Sequence, residues 1–337
     1  MILVTGGAGY IGSHVALELL LSGYDVVILD NLSTGHRDTV NNIELIKRGC
    51  EQVGDLHFVV GDTGDKKQLI KVIRDNPIRA IVHLAAFSQV GESMLNPGKY
   101  FENNVARAIN ILECMVQGHI EYIVFSSTAA VYGEPQAIPI IEEHPTQPTN
   151  VYGASKLMVE ELLRWYEQVH GIRHVALRYF NAAGADRSGL IGERHEPETH
   201  LIPLVIQKVM GKRPGLTVFG SDYPTPDGTC VRDYIHVSDL AQAHILALEA
   251  LFKGMDSRLY NLGNGNGYTV KEVIDTVGQV TGQEVGYELG ARRAGDPAIL
   301  VASSEKIQAE LGWKPHFPAL NEIVASAWKW HNLPGRK

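Results

Sequence analysis

Tyr152 and Lys156 stand four residues apart, about twenty-five residues after the run Ser126-Ser127-Thr128. Positions i and i+4 share one face of a helix, so this spacing sets an ammonium near a phenol. A free phenol ionises near pH ~10, and bringing it toward neutrality takes about 4 kcal/mol of differential stabilisation, which neighbouring positive charge can supply. An ionised Tyr152 would be a general base for a hydroxyl whose C–H hydrogen leaves as hydride. Thr128 could donate to, or relay a proton from, the same oxygen. A surface tyrosine, a solvated lysine and a strand-end threonine share this spacing, so the trio gains meaning only if the chain also holds a hydride carrier.

The opening Gly6-Gly7-Ala8-Gly9-Tyr10-Ile11-Gly12 points to one. It follows the short apolar run Ile2 to Thr5 and precedes a helical pattern from Tyr10 to Ser22 that Gly23 closes. Gly6, Gly9 and Gly12 suit a strand-to-helix turn that needs positive φ, close approach to a pyrophosphate and tight packing. The helix N-terminus then offers unpaired N–H groups to phosphate. Asp30 ends the next apolar run, eighteen residues after Gly12. There a carboxylate accepts from a ribose 2′-OH and repels a 2′-phosphate, so NAD rather than NADP is the expected cofactor. Asp62 ends a third run and could accept from the adenine amino group or stand as a solvated turn acid. His83-Leu84-Ala85-Ala86 ends a fourth, and its small residues allow backbone to approach a flat cofactor.

These groups need a scaffold that sets strand ends side by side. Further apolar runs at His57 to Val60, Ala80 to His83, Tyr122 to Phe125 and Val175 to Leu177 alternate with helical patterns at Asp65 to Asp75, Tyr100 to Gln117 and Val151 to His170. Such alternation predicts an α/β fold, a Rossmann-type doubly wound parallel sheet. Past Asn181 the connections become Gly- and Pro-rich between separate helices, one of them opened at Thr269 by capping-box spacing with Glu272 and the last one ended by Trp328, Trp330 and His331. The expected division is an NAD-binding Rossmann domain over 1–180 and a smaller α/β substrate domain over 181–337, with some chain returning to the first.

The chain has 337 residues, 45% of them apolar and 20% charged, with a formal charge of −8. No apolar run approaches twenty residues, so no membrane span is expected. The acidic balance argues against a nucleic-acid partner, while an anionic small molecule needs only a local concentration of cations. The first strand begins at Ile2, leaving no room for a signal segment ahead of it, and a cytoplasmic location is expected. Cys50, Cys114 and Cys230 form no CxxC pair and are expected to be buried free thiols.

Taken together, the Gly motif, Asp30-Asn31-Leu32, Val90-Gly91-Glu92-Ser93, Asn103-Asn104, Ser126 to Thr128, Val131-Tyr132-Gly133, Tyr152 to Lys156, Arg178-Tyr179-Phe180-Asn181, Arg232 to His236 and Arg293-Ala294-Gly295-Asp296 resemble the extended short-chain dehydrogenase/reductase family nearly end to end, in its nucleotide-sugar epimerase branch. The resemblance implies that Tyr152 takes the 4-OH proton of a UDP-hexose while the C4 hydride goes to NAD. The resulting 4-keto sugar turns over and receives the hydride on its other face, which interconverts the glucose and galactose forms. It implies cofactor contacts at Gly6, Gly9, Tyr10, Ile11, Gly12, Asp30, Asn31, Ser33, Thr34, Gly35, Asp62, Thr63, Leu84, Ala85, Ala86, Ser88, Asn104, Tyr152, Lys156 and Phe180. Substrate contacts are implied at Thr128, Tyr152, Asn181, His200, Leu201, Thr217, Val218, Phe219, Arg232, Arg293 and Asp296, where arginine forks match diphosphate oxygens. It also implies a homodimer paired through the helices near 100–117 and 151–170.

Three positions depart from the family pattern. Ser88 stands where some members carry Lys, His200 where many carry Asn, and Leu300 where some carry a bulky Tyr that closes the sugar pocket. The smaller Leu300 would admit a 2-acetamido sugar. A sister reaction, dehydration or decarboxylation, needs acids directly after the Thr, and this chain has Ala129 and Ala130. A non-catalytic NAD sensor on the same fold would have no use for Thr128, Tyr152 and Lys156 as a set. The run His195-Glu196-Pro197-Glu198-Thr199-His200 invites a metal reading, but Pro197 interrupts the helix that would aim both imidazoles at one ion, and no metal is expected.

Overall fold

The computed structural model describes residues 1–293 and 296–333. Ala294, Gly295 and residues 334–337 therefore lie outside the described residues. Among the described residues thirteen strands occur in chain order: β1 Ile2–Thr5, β2 Val26–Asp30, β3 Leu56–Val60, β4 Ala80–His83, β5 Tyr122–Thr128, β6 Arg173–Tyr179, β7 Asn181–Ala183, β8 Thr217–Phe219, β9 Val231–His236, β10 Arg258–Leu262, β11 Gly267–Thr269, β12 Glu288–Gly290 and β13 Ile299–Leu300. Seven of them form one sheet in the order β10-β6-β5-β4-β1-β2-β3, and every pairing in it is parallel.

The apolar strands follow from burial on both faces. Ile2, Val4, Val26 and Ile28 pack into one core with Val15, Leu19 and Leu248, from the helices Tyr10–Leu21 and Val237–Phe252. Leu3, Val27 and Leu29 pack into the opposite core with Leu69, Ile111 and Leu163, from the helices Lys66–Asp75, Arg107–Gln117 and Val151–His170. Each such side chain taken fully out of water contributes about 1.5–3 kcal/mol, so the alternation fixes which way every strand end points. The sheet is the expected doubly wound one.

Strand β10 comes from far along the chain and pairs with β6, while the helix Val237–Phe252 packs on the first lobe. A second lobe is built on β9, flanked by β7, β11 and β13, with β8 and β12 as a separate pair. Its core holds Val205 and Ile206, Val273 and Val277, and Ile323 and Val324, one pair from each of the helices Leu201–Val209, Val270–Thr281 and Leu320–His331. Thr269 and Glu272 form the expected capping box.

Two local expectations change. The helix expected over Tyr100 to Gln117 is broken by a π-helical turn at Phe101–Ala106. Within it Asn104 is buried and bonded to Phe87 and Ser155, an irregularity that helical propensity does not register. Cys114 and Cys230 are buried, but Cys50 is exposed, because it lies in the turn beyond the helix Arg37–Lys47.

Candidate active site

The carboxyl ends of β1, β2, β4, β5 and β6 open onto one cleft of about 550 Å³. Its position follows from topology: the chain leaves β1 toward β2 on one side, while β4 lies on the other, so a crevice opens where the order reverses. Gly6 takes φ of +75°, and a Cβ there would sit 2.7 Å from the Ala85 nitrogen. A Cβ on Gly12 would sit 2.1 Å from the Gly6 carbonyl oxygen. Only glycine lets these segments meet, and the helix that follows begins at Gly9 with no side-chain cap on its N–H groups.

This cradle fits a dinucleotide. Asp30 is buried at the end of β2, and its carboxylate accepts from the Ala8 N–H at 3.0 Å and the Leu32 N–H at 2.8 Å. Those bonds aim it at the cleft, which it lines together with Gly6, Gly9, Tyr10, Ile11, Gly12, Ser33, Thr34, Leu84, Ala85, Ala86 and Ser88. Burial raises its carboxyl group above the usual range, and the two N–H donors work against that. Gly35 packs on it, where a Cβ would sit 2.9 Å from both carboxylate oxygens. Asn31 and Thr63 line a smaller adjoining recess with Arg107.

Two expected contacts are already engaged within the protein. Asp62 accepts from Asn31 Nδ2, Arg107 Nη1 and the Gly64 N–H, each at 2.7 Å. Burial would raise its pKa, but these donors outweigh it and hold the group low. Asn104 receives the Phe87 N–H at 2.9 Å and donates to the Phe87 carbonyl and Ser155 Oγ at 3.0 Å, so it holds the cleft wall at Phe87 without lining the cleft itself.

Thr128, Tyr152 and Lys156 meet at the inner end of the cleft beside Ser126, Tyr179, Phe180 and Asn181. Lys156 is buried and donates from Nζ to the Ser126 carbonyl at 2.8 Å. Burial lowers its pKa to about 7, and Glu160 works in the opposite direction. Burial pushes Tyr152 up to about 12, and the influence that lowers it is a hydrogen bond from Thr128. The ammonium is directed at the strand carbonyl, so ionising Tyr152 calls for further positive charge in the cleft. Thr128 also accepts the Ala130 N–H at 3.2 Å, so it caps the turn after β5 as well.

A buried network sets the helix bearing Tyr152 and Lys156 against the sheet. Glu160 receives the Arg178 guanidinium on both oxygens, with Nε to Oε1 at 2.9 Å and Nη2 to Oε2 at 2.5 Å, and Ser127 Oγ also donates to it. Ser127 and Arg178 sit on β5 and β6, so one carboxylate ties both strands to the helix bearing Tyr152.

The expected diphosphate residues gather in the second lobe and do not line this cleft. Arg232 Nη2 pairs with Asp296, and the Arg293 guanidinium lies 4.2 Å from the centre of the Phe219 ring. Arg232, Asp296 and Arg293 all bear electrostatically on Cys230, which places the three charges in one neighbourhood. The Val218 side chain is buried in the second-lobe core, so a ligand would meet its backbone, whereas Thr217 faces solvent. Leu201 is the first residue of its helix and packs against that same core.

Sequence reasoning named His200 in the cleft wall but missed Glu193, His195 and Glu198 beside it. Glu193, His195 and His200 line the cleft, and Glu198 joins them. The two imidazole centres lie 5.0 Å apart despite Pro197, because residues 193–200 form an irregular loop and need no helix to converge. Burial opposes charge on both rings, but Glu193 and Glu198 push His195 up to about 9 and His200 up to about 10. Glu193 and Glu198 are held low in turn. The HEPETH run was the visible signal, and the contribution of Glu193 two residues earlier was not visible. Lys99 and Glu92, paired at 2.6 Å, also line the cleft without being anticipated.

Residues 2–263 match the model of the NAD dependent epimerase/dehydratase family. The chain is 50% identical over 330 residues to the UDP-glucose 4-epimerase of Halalkalibacterium halodurans, covering 98% of this chain and 95% of that one. The UDP-glucose 4-epimerase of Lacticaseibacillus casei is also 50% identical over 330 residues, covering 98% and 96%. A crystal structure of UDP-glucose 4-epimerase from Bifidobacterium longum in complex with NAD+ and UDP matches at a TM-score of 0.94 and 38% identity, covering 99% of each chain. These likenesses agree with the resemblance read from the motifs, and by sequence and architecture the chain belongs to the NAD dependent epimerase/dehydratase family.

Proposed function

We propose that this chain is an NAD-dependent isomerase that interconverts UDP-glucose and UDP-galactose at C4 through a transient 4-keto sugar. The observation that carries the reading is the meeting of Thr128, Tyr152 and Lys156 at the inner end of a cleft whose outer part is a dinucleotide cradle ending at Asp30. NAD supplies a hydride acceptor and donor when bound, together with positive charge beside the phenol. Gly6, Gly9, Gly12 and the free N–H groups of the Tyr10–Leu21 helix would hold its pyrophosphate, and Asp30 its adenosine ribose.

Tyr152 takes the proton from the sugar 4-OH, and Thr128 steadies the phenolate and the reacting oxygen. Lys156, anchored on the Ser126 carbonyl, holds the nicotinamide-ribose hydroxyls and adds charge once the cofactor draws it toward them. After the 4-keto sugar turns over, Tyr152 returns the proton while the hydride arrives on the opposite face. Net redox is zero, which favours a cofactor retained through every turnover. Ala129 and Ala130 leave no acid after Thr128 for elimination.

The second lobe, 181–337, serves as the nucleotide-sugar half, with Arg232 and Arg293 as diphosphate ligands and Asp296 orienting Arg232. The first lobe, 1–180, completed by the returning helix and β10, serves as the cofactor half. Leu300 and Phe180 pack against one small cluster with Val131 and Tyr132, and the smaller Leu300 in place of a bulky Tyr is the reason to expect room for a 2-acetamido group. A UDP-N-acetylglucosamine assay that yields no epimer would remove that extension.

A cytoplasmic homodimer completes the proposal. Among the described residues no helix is long and apolar enough to cross a membrane. Met158, Trp165 and Val169 are exposed along one face of the Val151–His170 helix, the stripe a paired helix would cover, and sedimentation of the pure protein as a monomer would refute the dimer.

The decisive assay incubates pure protein with UDP-galactose, adds no nicotinamide nucleotide, and looks for UDP-glucose. Product establishes both epimerisation and a retained cofactor. No product even after NAD is supplied would overturn the reading.

A further inference from the structure

We propose that Glu193, His195, Glu198 and His200 form a binding site for a single divalent transition ion, with Zn²⁺ the best-fitting ion. The four residues each offer one ligand atom, and these atoms lie within 4.8 Å of one another. The inward donors of both rings are Nδ1. His195 Nδ1 lies 3.3 Å from Glu193 Oε1 and 3.7 Å from Glu198 Oε2. His200 Nδ1 lies 2.9 Å from Glu193 Oε1 and 2.9 Å from Glu198 Oε1. A tetrahedral ion with bonds of about 2.0–2.1 Å spaces its ligands about 3.3–3.4 Å apart. The four imidazole–carboxylate separations bracket that value and the remaining pairs lie within 4.8 Å, so an ion would draw the donors inward around it.

A second observation separates this group from an ordinary ion-pair cluster. His195 Nδ1 is buried and has no hydrogen-bond partner, although two carboxylates stand within ion-pair range. The nitrogen stands 3.3 Å from Glu193 Oε1 and 3.7 Å from Glu198 Oε2, close enough to share a central ion with both. The scaffold around the donors is fixed. Trp330 Nε1 holds the Glu193 carbonyl at 2.9 Å, Arg194 clamps Asp38 at 2.8 Å, and Glu198 Oε1 accepts the Thr199 and His200 N–H groups at 2.8 and 2.9 Å.

Charge and donor type choose the ion. Two carboxylates and two neutral imidazoles carry −2, which one divalent ion neutralises in place of two protons. Mixed nitrogen and oxygen donors suit Zn²⁺, Co²⁺ or Ni²⁺ better than Mg²⁺ or Ca²⁺, which prefer all-oxygen shells. Four protein ligands leave no open position for water or sugar, so the ion would be structural. It would lock the loop that forms one wall of the cleft and leave the second nitrogen of His200 to face the substrate. The hydride chemistry would not pass through it.

The test uses untagged, full-length protein carrying its own NAD, stripped with chelator, desalted and titrated with Co²⁺ and Zn²⁺. One ion per chain retained through gel filtration, the intense visible bands of four-coordinate Co²⁺ and a raised melting temperature are expected. His195→Ala and Glu198→Gln should each weaken binding beyond the about 10–100-fold that changes around a ligand cost, with NAD retention reporting that the variants fold. Failure of the unaltered protein to retain an ion would overturn the proposal, as would the weak spectrum of six-coordinate Co²⁺. Unchanged affinity in both variants would also overturn it, by placing the ion elsewhere.

Discussion

Lys156 Nζ donates to the Ser126 carbonyl at 2.8 Å, so the catalytic helix is bonded to the strand that ends two residues later at Thr128. The bond explains how an ammonium is held in a buried place, and why it does not by itself ionise Tyr152. Burial lowers Lys156 to about 7 and raises Tyr152 to about 12.

Tyr152→Phe removes the group that takes the 4-OH proton and leaves the cradle intact. General-base loss of this kind costs about 10²–10⁴-fold in turnover. The expected result is that loss in kcat with NAD still bound to the purified protein. Undiminished turnover would eliminate Tyr152 as the base.

Lys156 makes folding depend on pH in a defined direction. Its folded-state pKa is lowered from 10.5 to about 7, mainly by burial. Between those values the unfolded chain holds a proton that the folded chain has released, so cofactor-free stability rises with pH across the window. Lys156→Met should flatten that rise. Denaturant midpoints of both proteins on either side of the window decide it, and parallel profiles would show that Lys156 does not titrate there.

The cofactor cradle was legible because its signals are local. Gly6, Gly9, Gly12 and Asp30 act through turn geometry and strand ends, which a few adjacent residues dictate, and the Thr269–Glu272 capping box is of the same kind. Residues whose place depends on distant packing were harder. Val218 is buried in the second-lobe core between the exposed Thr217 and Phe219, and Cys50 reads as a buried thiol but lies in an exposed turn. Nothing near Arg258 to Leu262 announces that β10 extends a sheet begun at Ile2. The loop from Glu193 to His200 converges by chain path, so Pro197 was taken as a bar to a geometry that needs no helix.

Gly12→Ala tests the cradle itself. The added Cβ would lie 2.1 Å from the Gly6 carbonyl oxygen and 2.9 Å from Gly7 Cα, both backbone atoms, so the turn must open. The expected outcome is purification without NAD and a loss of about 1–3 kcal/mol in stability, the usual cost of overpacking. Gly91→Ala is the matched control, because its Cβ would meet nothing within 4 Å. Full NAD content in Gly12→Ala would contradict the assignment of this turn.

Glu160 tests how the catalytic helix is held. Glu160→Gln leaves the Arg178 guanidinium buried without its counter-charge, and breaking a buried pair from one side costs about 3–5 kcal/mol. Replacing both partners, as Glu160→Leu with Arg178→Leu, removes the stranded charge and should recover most of that stability. Activity need not recover with it, since Ser127 loses its acceptor and the helix bearing Tyr152 and Lys156 loses its fixed seat on β5 and β6. A denaturant-unfolding double-mutant cycle combined with kcat separates the two roles. A double variant restored in both stability and kcat would show that the network stabilises the fold without positioning the catalytic groups.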